Sequence, residues 1–143
     1  MHHRSIRHIL FLVSLCGCAN TEAGPSTDSL AAGASANEAP GFETSVQPFI
    51  NMACNCHQSD PLMAPFSLKE GAAYDAIVNV PSRQLTTMML VKPGSTQESY
   101  LWHKVNGTFL DVGGSGMIMP FTIPLNETEK AIFERWILAG AKR

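Results

Sequence analysis

Apolar residues recur at helical spacing in four stretches of this chain. Over Glu43 to Ala53, Val46, Phe49 and Ile50 share one face at i, i+3 and i+4. Pro48 fits such a helix only in its first turn, because its ring removes an N–H and crowds the preceding turn. A second helix is predicted from the capping box Ser67-Leu68-Lys69-Glu70 to about Val78, with Tyr74 and Ile77 three apart. A third is predicted from the capping box Ser95-Thr96-Gln97-Glu98, covering Ser99 to Val105 and stopped by Asn106-Gly107. The fourth starts at Asn126-Glu127-Thr128-Glu129 and ends at Gly140, with Ile132, Phe133, Trp136 and Ile137 as its apolar stripe. Met88-Met89-Leu90-Val91 is apolar and short, and reads as a buried extended segment. No run alternates as a half-buried strand would, and no internal repeat is visible. The pattern predicts an all-α fold of about four helices.

The stretches between helices are irregular. Gln58 to Phe66 holds two prolines, and Asp111 to Pro124 holds Gly113-Gly114, Gly116 and two more prolines. Loops of this length in a small domain usually surround a site. Upstream of the first helix the pattern changes. Arg4 and Arg7 precede the apolar run Ile9 to Leu15, which is far shorter than the roughly 20 residues a spanning helix needs. Leu15-Cys16-Gly17-Cys18 follows and resembles a bacterial lipobox. That resemblance implies a signal peptide over 1–17 and lipid on Cys18. With Ala19 rather than Asp next, it also implies an exported protein anchored in the outer membrane and facing the periplasm. An ordinary signal peptide cut elsewhere also predicts export. Asn20 to Pro40 is rich in Ala, Gly, Ser, Thr, Glu and Pro, so residues 18–40 read as a flexible tether and 41–143 as the folded domain.

Composition narrows the function classes. The 143 residues are 45% hydrophobic and 15% charged, with a net charge of -2, which fits one globular domain and argues against nucleic acid as a partner. Beyond the leader only His57 and His103 remain as histidines. There is no Ser-His-Asp set, phosphate-cradling loop or zinc spacing, so an enzyme is not expected. With Cys18 lipidated, Cys54 and Cys56 are the remaining thiols of an oxidising compartment. A disulfide between them would close a tiny ring under strain. A cofactor, a metal or a strained bond is therefore expected to occupy them.

Cys56-His57 is the second half of the c-type haem attachment motif Cys-x-x-Cys-His, in which two thiols bond the haem and the His ligates iron. The residue three before Cys56 is Ala53, and the nearby thiol is Cys54. Met119-Pro120, in the Gly-rich loop, supplies a thioether. An imidazole and a thioether on opposite faces of a haem suit electron transfer at raised potential, although a core role is the commonest fate of a methionine.

These pieces stand in an order that resembles the cytochrome c domains of exported and lipid-anchored bacterial proteins, the planctomycete-type cytochrome c family. Val46-Gln47-Pro48-Phe49-Ile50 resembles that family's opening helix. Tyr74 to Val78 with Val80-Pro81-Ser82 is similar to its middle helix and turn. Val91 to Ser95 and Ser99 to Val105 resemble its Pro-Gly region and the helix after it, and Leu125 to Ala141 its last helix. The resemblance implies a small cytochrome c-like fold with long loops around a haem pocket and iron ligated by His57 and Met119. It also implies haem c as cofactor, redox proteins as partners and a lipid-anchored attachment to the membrane. The spacing departs from the family. Thiols three apart sit about 300° around a helix, whereas Cys54 and Cys56, two apart, sit about 200° around it. One thioether at Cys56, with Ala53 in the first thiol's place, is the simplest outcome; a local bulge bringing Cys54 to the haem is the other. His103 reads as a surface or packing residue. Trp136 reads as core and a candidate propionate contact, with Arg83 and Lys92 as further propionate candidates. Two other functions stay open. One is a copper module using Cys54, Cys56, His57 and Met117 or Met119. The other is a haem-less structural lipoprotein whose cavity is filled by Met63, Phe66, Met88, Met89, Phe109 and Phe121.

Overall fold

Pro48 decides how the first helix is built. In the computed structural model, which describes residues 38–59 and 64–143, the chain opens with a π-helical turn, Phe42–Val46, and runs directly into helix α1, Gln47–Ala53. The Gln47 N–H reaches back to the Phe42 carbonyl, five residues away. This wider turn puts Pro48 in the first turn of α1, where its missing N–H leaves no gap in the hydrogen-bond ladder. Phe42, Val46, Phe49 and Ile50 are buried on one side. The leader 1–17, Cys18, most of the tether and Met63 lie outside the described residues.

The second helix is much shorter than its sequence signal. Ser67 accepts the Lys69 N–H at 3.2 Å and makes only a local turn. Gly71 then adopts φ +80°, a left-handed conformation that no α-helix continues through. Helix α2 is therefore Ala73–Ile77. The apolar run Met88 to Val91 is extended as expected, with Leu90 and Val91 buried. It makes isolated bridges, Pro81 to Met89 and Val78 to Val91, rather than a strand.

Helix α3, Tyr100–Asn106, begins after its capping-box signal. Ser95 accepts the Glu98 N–H at 3.2 Å, but that bond closes a separate turn. Ser99 is the residue that leads into the helix, with an extended backbone and its Oγ accepting the Lys92 N–H at 2.8 Å. Gly107, at φ +77°, ends α3 as predicted. Helix α4, Glu127–Leu138, carries the complete capping box. The Glu129 N–H donates to Asn126 Oδ1 at 3.0 Å, and the Asn126 N–H donates to Glu129 Oε2 at 2.8 Å.

The core centres on Trp136, which is fully buried. Its ring stacks on Phe133 at 5.7 Å and meets Phe42 at 5.3 Å and Tyr74 at 6.4 Å. Trp102 of α3 reaches Phe133 at 6.2 Å. The four α-helices and no strands among the described residues make this an all-α domain. No helix among them is long and apolar enough to cross a membrane.

Candidate functional site

The segment after α1 separates the two thiols by conformation rather than by helical rotation. Cys54 leaves the helical region at φ -112°, ψ 41°, while its N–H still bonds the Ile50 carbonyl at 2.9 Å. A short 3-10 turn, Asn55–His57, follows. Gln58 folds back over it, and its Nε2 donates to the Ile50 carbonyl at 2.9 Å. As a result Cys54 is half-buried against the core, Cys56 is exposed, and both are free thiols.

His57 is half-buried with its Nδ1 3.0 Å from the Phe66 carbonyl and its ring 4.6 Å from the Phe66 ring. The Leu68 N–H donates to the His57 carbonyl at 2.9 Å, so backbone and side chain are both tied to the segment after the first loop. A carbonyl only accepts, so Nδ1 carries the proton and the neutral ring presents a lone pair at Nε2. Nε2 has no hydrogen-bond partner among the described residues. Burial pulls the His57 pKa below its usual value, opposed in part by the Phe66 hydrogen bond. The ring is therefore neutral at pH 7. A histidine oriented through one nitrogen with the other left bare is the arrangement found at metal-ligating imidazoles. Phe66 sets this orientation, a role that no spacing in the sequence signals.

The two thiols differ in chemistry as well as place. Burial, with the neighbouring Cys56 adding to it, pushes the Cys54 thiol up to about 11. Thiolate is the reactive form, so Cys54 is inert at neutral pH. At pH 8, iodoacetamide is expected to modify Cys56 quickly and Cys54 only after denaturant is added, as peptide mass mapping will show. Equal rates at the two thiols would contradict the burial. The shift also has a sign for stability. A thiol whose pKa is raised by folding contributes stability that is intact below pH 9 and is lost as pH rises toward 11.

Met119 is half-buried in the Gly-rich loop, and a cis peptide joins it to the buried Pro120. Its N–H donates to the Lys104 carbonyl of α3 at 2.9 Å. The same lysine's Nζ donates to the Ser115 carbonyl at 3.1 Å. The Tyr100 hydroxyl accepts the Ser115 N–H at 3.3 Å and donates to Gln84 Oε1 at 3.0 Å. Gly114 is required here, since a Cβ on it would fall 2.5 Å from the Tyr100 oxygen. Beside the loop, Met117, Phe121 and Ile123 leave 58%, 51% and 77% of their surface exposed.

Other expectations divide. His103 has both nitrogens engaged: Nε2–H donates to the Gln97 carbonyl at 3.0 Å, and Nδ1 accepts from the Thr108 hydroxyl at 2.9 Å. Neither of its nitrogens is left bare, unlike Nε2 of His57. Trp136 is core, and its indole N–H is taken by the Lys142 carbonyl at 2.6 Å. Arg83 is exposed. Lys92 lines a cleft of about 320 Å³ with Met88, Met89 and Val112. A larger cleft of about 600 Å³ lies between the segment from Glu38 to Ser45 and the end of α4. Neither cleft is lined by His57 or Met119, and no hydrogen bond joins these two residues. Among the described residues, no three His, Cys, Asp or Glu side chains converge on a metal-sized site. No family model matches the chain, and neither a curated protein nor a solved structure is found similar to it.

Proposed function

We propose that this domain is a single-haem c-type electron carrier, with iron ligated by His57 and Met119 and the haem attached through one thioether at Cys56. The observation that carries this reading is the His57 ring, neutral and fixed through Nδ1 to Phe66, with Nε2 bare. The donor set fits the group: a neutral imidazole, a thioether in a clamped loop, and an exposed thiol next to the imidazole. When bound, haem supplies a one-electron couple at its iron. The chain's own residues do the rest. Cys56 tethers and His57 orients. Met117, Phe121 and Ile123 offer apolar surface to shed water from a flat cofactor. Cys54, facing the core, takes no part. On this reading the protein is an electron carrier and not an enzyme. Lipid on Cys18 would hold it at the periplasmic face of the outer membrane, where its partners are redox proteins.

Protein purified from a host competent in c-haem maturation is expected to give one haem per chain by pyridine haemochrome assay. His57→Ala is expected to remove the iron's imidazole and with it most of the haem. Haem-free wild-type protein from such a host would overturn the reading. Stoichiometric copper on that haem-free protein, lost in Cys54→Ala, would put a soft-metal module in its place.

A further inference from the structure

Lys104 is the one charged residue among the buried polar positions of the described chain, at 5% exposure. Taking an ammonium out of water is costly unless something compensates. Among the described residues no carboxylate pairs with it. Its Nζ instead donates to the Ser115 carbonyl at 3.1 Å and lies 4.1 Å from the centre of the Phe109 ring, a cation–π distance. An apolar side chain of the same length would sit against Tyr100 and Phe109 at lower cost, so the position calls for a reason to keep the charge. The reason is in what the residue holds. Its side chain takes the carbonyl of Ser115, and its main-chain carbonyl takes the N–H of Met119. Both ends of the segment from Ser115 to Met119 are fastened to one residue of α3.

We propose that Lys104 is a positioning residue that sets where Met119 presents its sulfur. This rests on the haem reading of the site. The segment it spans has no helix or strand of its own and exposes Ser115, Gly116 and Met117, so its shape is imposed from α3. Gly116, at φ +81°, passes over the ammonium; a Cβ there would lie 3.6 Å from Nζ. Tyr100, one turn before Lys104 on α3, holds the Ser115 N–H from the other side. Losing Nζ would leave the Ser115 end held only through its N–H by Tyr100, beside the main-chain bond at Met119.

The variant to make is Lys104→Met, which keeps the length and apolar stem and removes the charge and donor. Haem-loaded wild type and variant are compared by titrating the oxidised protein with imidazole, which competes with the thioether for iron. Haem-free forms of both are compared by hydrogen exchange at the amides from Ser115 to Met119. A charge-assisted hydrogen bond contributes enough to hold the equilibrium by about tenfold or more. The variant is therefore expected to keep its haem, bind imidazole about tenfold more tightly, and exchange its Met119 amide about tenfold faster. Haem-loaded variant with imidazole affinity and amide exchange both within twofold of wild type overturns the proposal. Should the variant not fold, the wild-type haem-free protein decides: a Met119 amide exchanging at the unprotected rate overturns it. Absence of haem from the wild type would overturn the haem reading, while the exchange data would still report whether Lys104 anchors the loop.

Discussion

Cys56→Ser should leave no haem covalently bound to the chain, while Cys54→Ala should leave the attachment intact. The two thiols are one residue apart in sequence, yet the backbone sends them to different environments. Cys54 ends α1 with its side chain against the core, and burial lifts its pKa to about 11. Cys56 sits exposed on the 3-10 turn, directly before the imidazole that would ligate iron. A thioether needs a reactive, accessible sulfur, and only one of the pair is both. The check is a haem-peroxidase stain of denatured protein on a gel, with intact mass to count haem per chain. A Cys54→Ala protein that loses the covalent haem would mean that the bulge model of attachment through both thiols is right. The same substitution removes a half-buried sulfur and is expected to lower stability by only about 1 kcal/mol.

Trp136→Ala should be the most damaging single substitution in the domain. The side chain is fully buried, stacks on Phe133 and contacts Phe42 and Tyr74, so its removal opens a void bordered by three aromatic rings. Such a change costs about 3–5 kcal/mol, against a total stability on the order of 5–15 kcal/mol for a domain. The indole also satisfies the Lys142 carbonyl, which alanine leaves unpartnered. A urea titration followed by circular dichroism should show the midpoint fall by a large fraction. Trp136→Phe, which keeps a ring against Phe133, should lose less than half as much. A loss below about 1 kcal/mol for the alanine variant would show that the aromatic cluster is not what holds α4 in place.

What the sequence reveals depends on whether the determinant is local. Helix α4 is legible because cap, stripe and stop signal agree within a dozen residues, and its capping box forms in full. The predicted second helix forms only in its second half, Ala73–Ile77, although its first four residues spell the same motif. Gly71 takes a left-handed conformation immediately afterwards, and a cap cannot start a helix whose next residue leaves it. At the candidate site, His57 and Cys56 can be picked out by residue type. The angle drawn between Cys54 and Cys56 on a continuous helix does not apply, because α1 stops at Ala53. Phe66 is out of reach of any spacing rule: its carbonyl meets His57 only after the loop between them has closed. Lys104 gives one faint signal, a charge one turn after Tyr100 and next to Val105 on a face that the core otherwise claims.

The bond from Trp136 to Lys142 has a counterpart in the Tyr74 hydroxyl, which donates to the Ala141 carbonyl at 2.9 Å. Ala141 itself is fully buried. Residues at the far end of the described chain thus close the aromatic core and fasten α2 to α4. A chain made from its N-terminus cannot finish this core while those residues are still inside the ribosome. The aromatic core is therefore closed only once Ala141 and Lys142 have emerged, so the domain cannot complete its packing in step with its own synthesis.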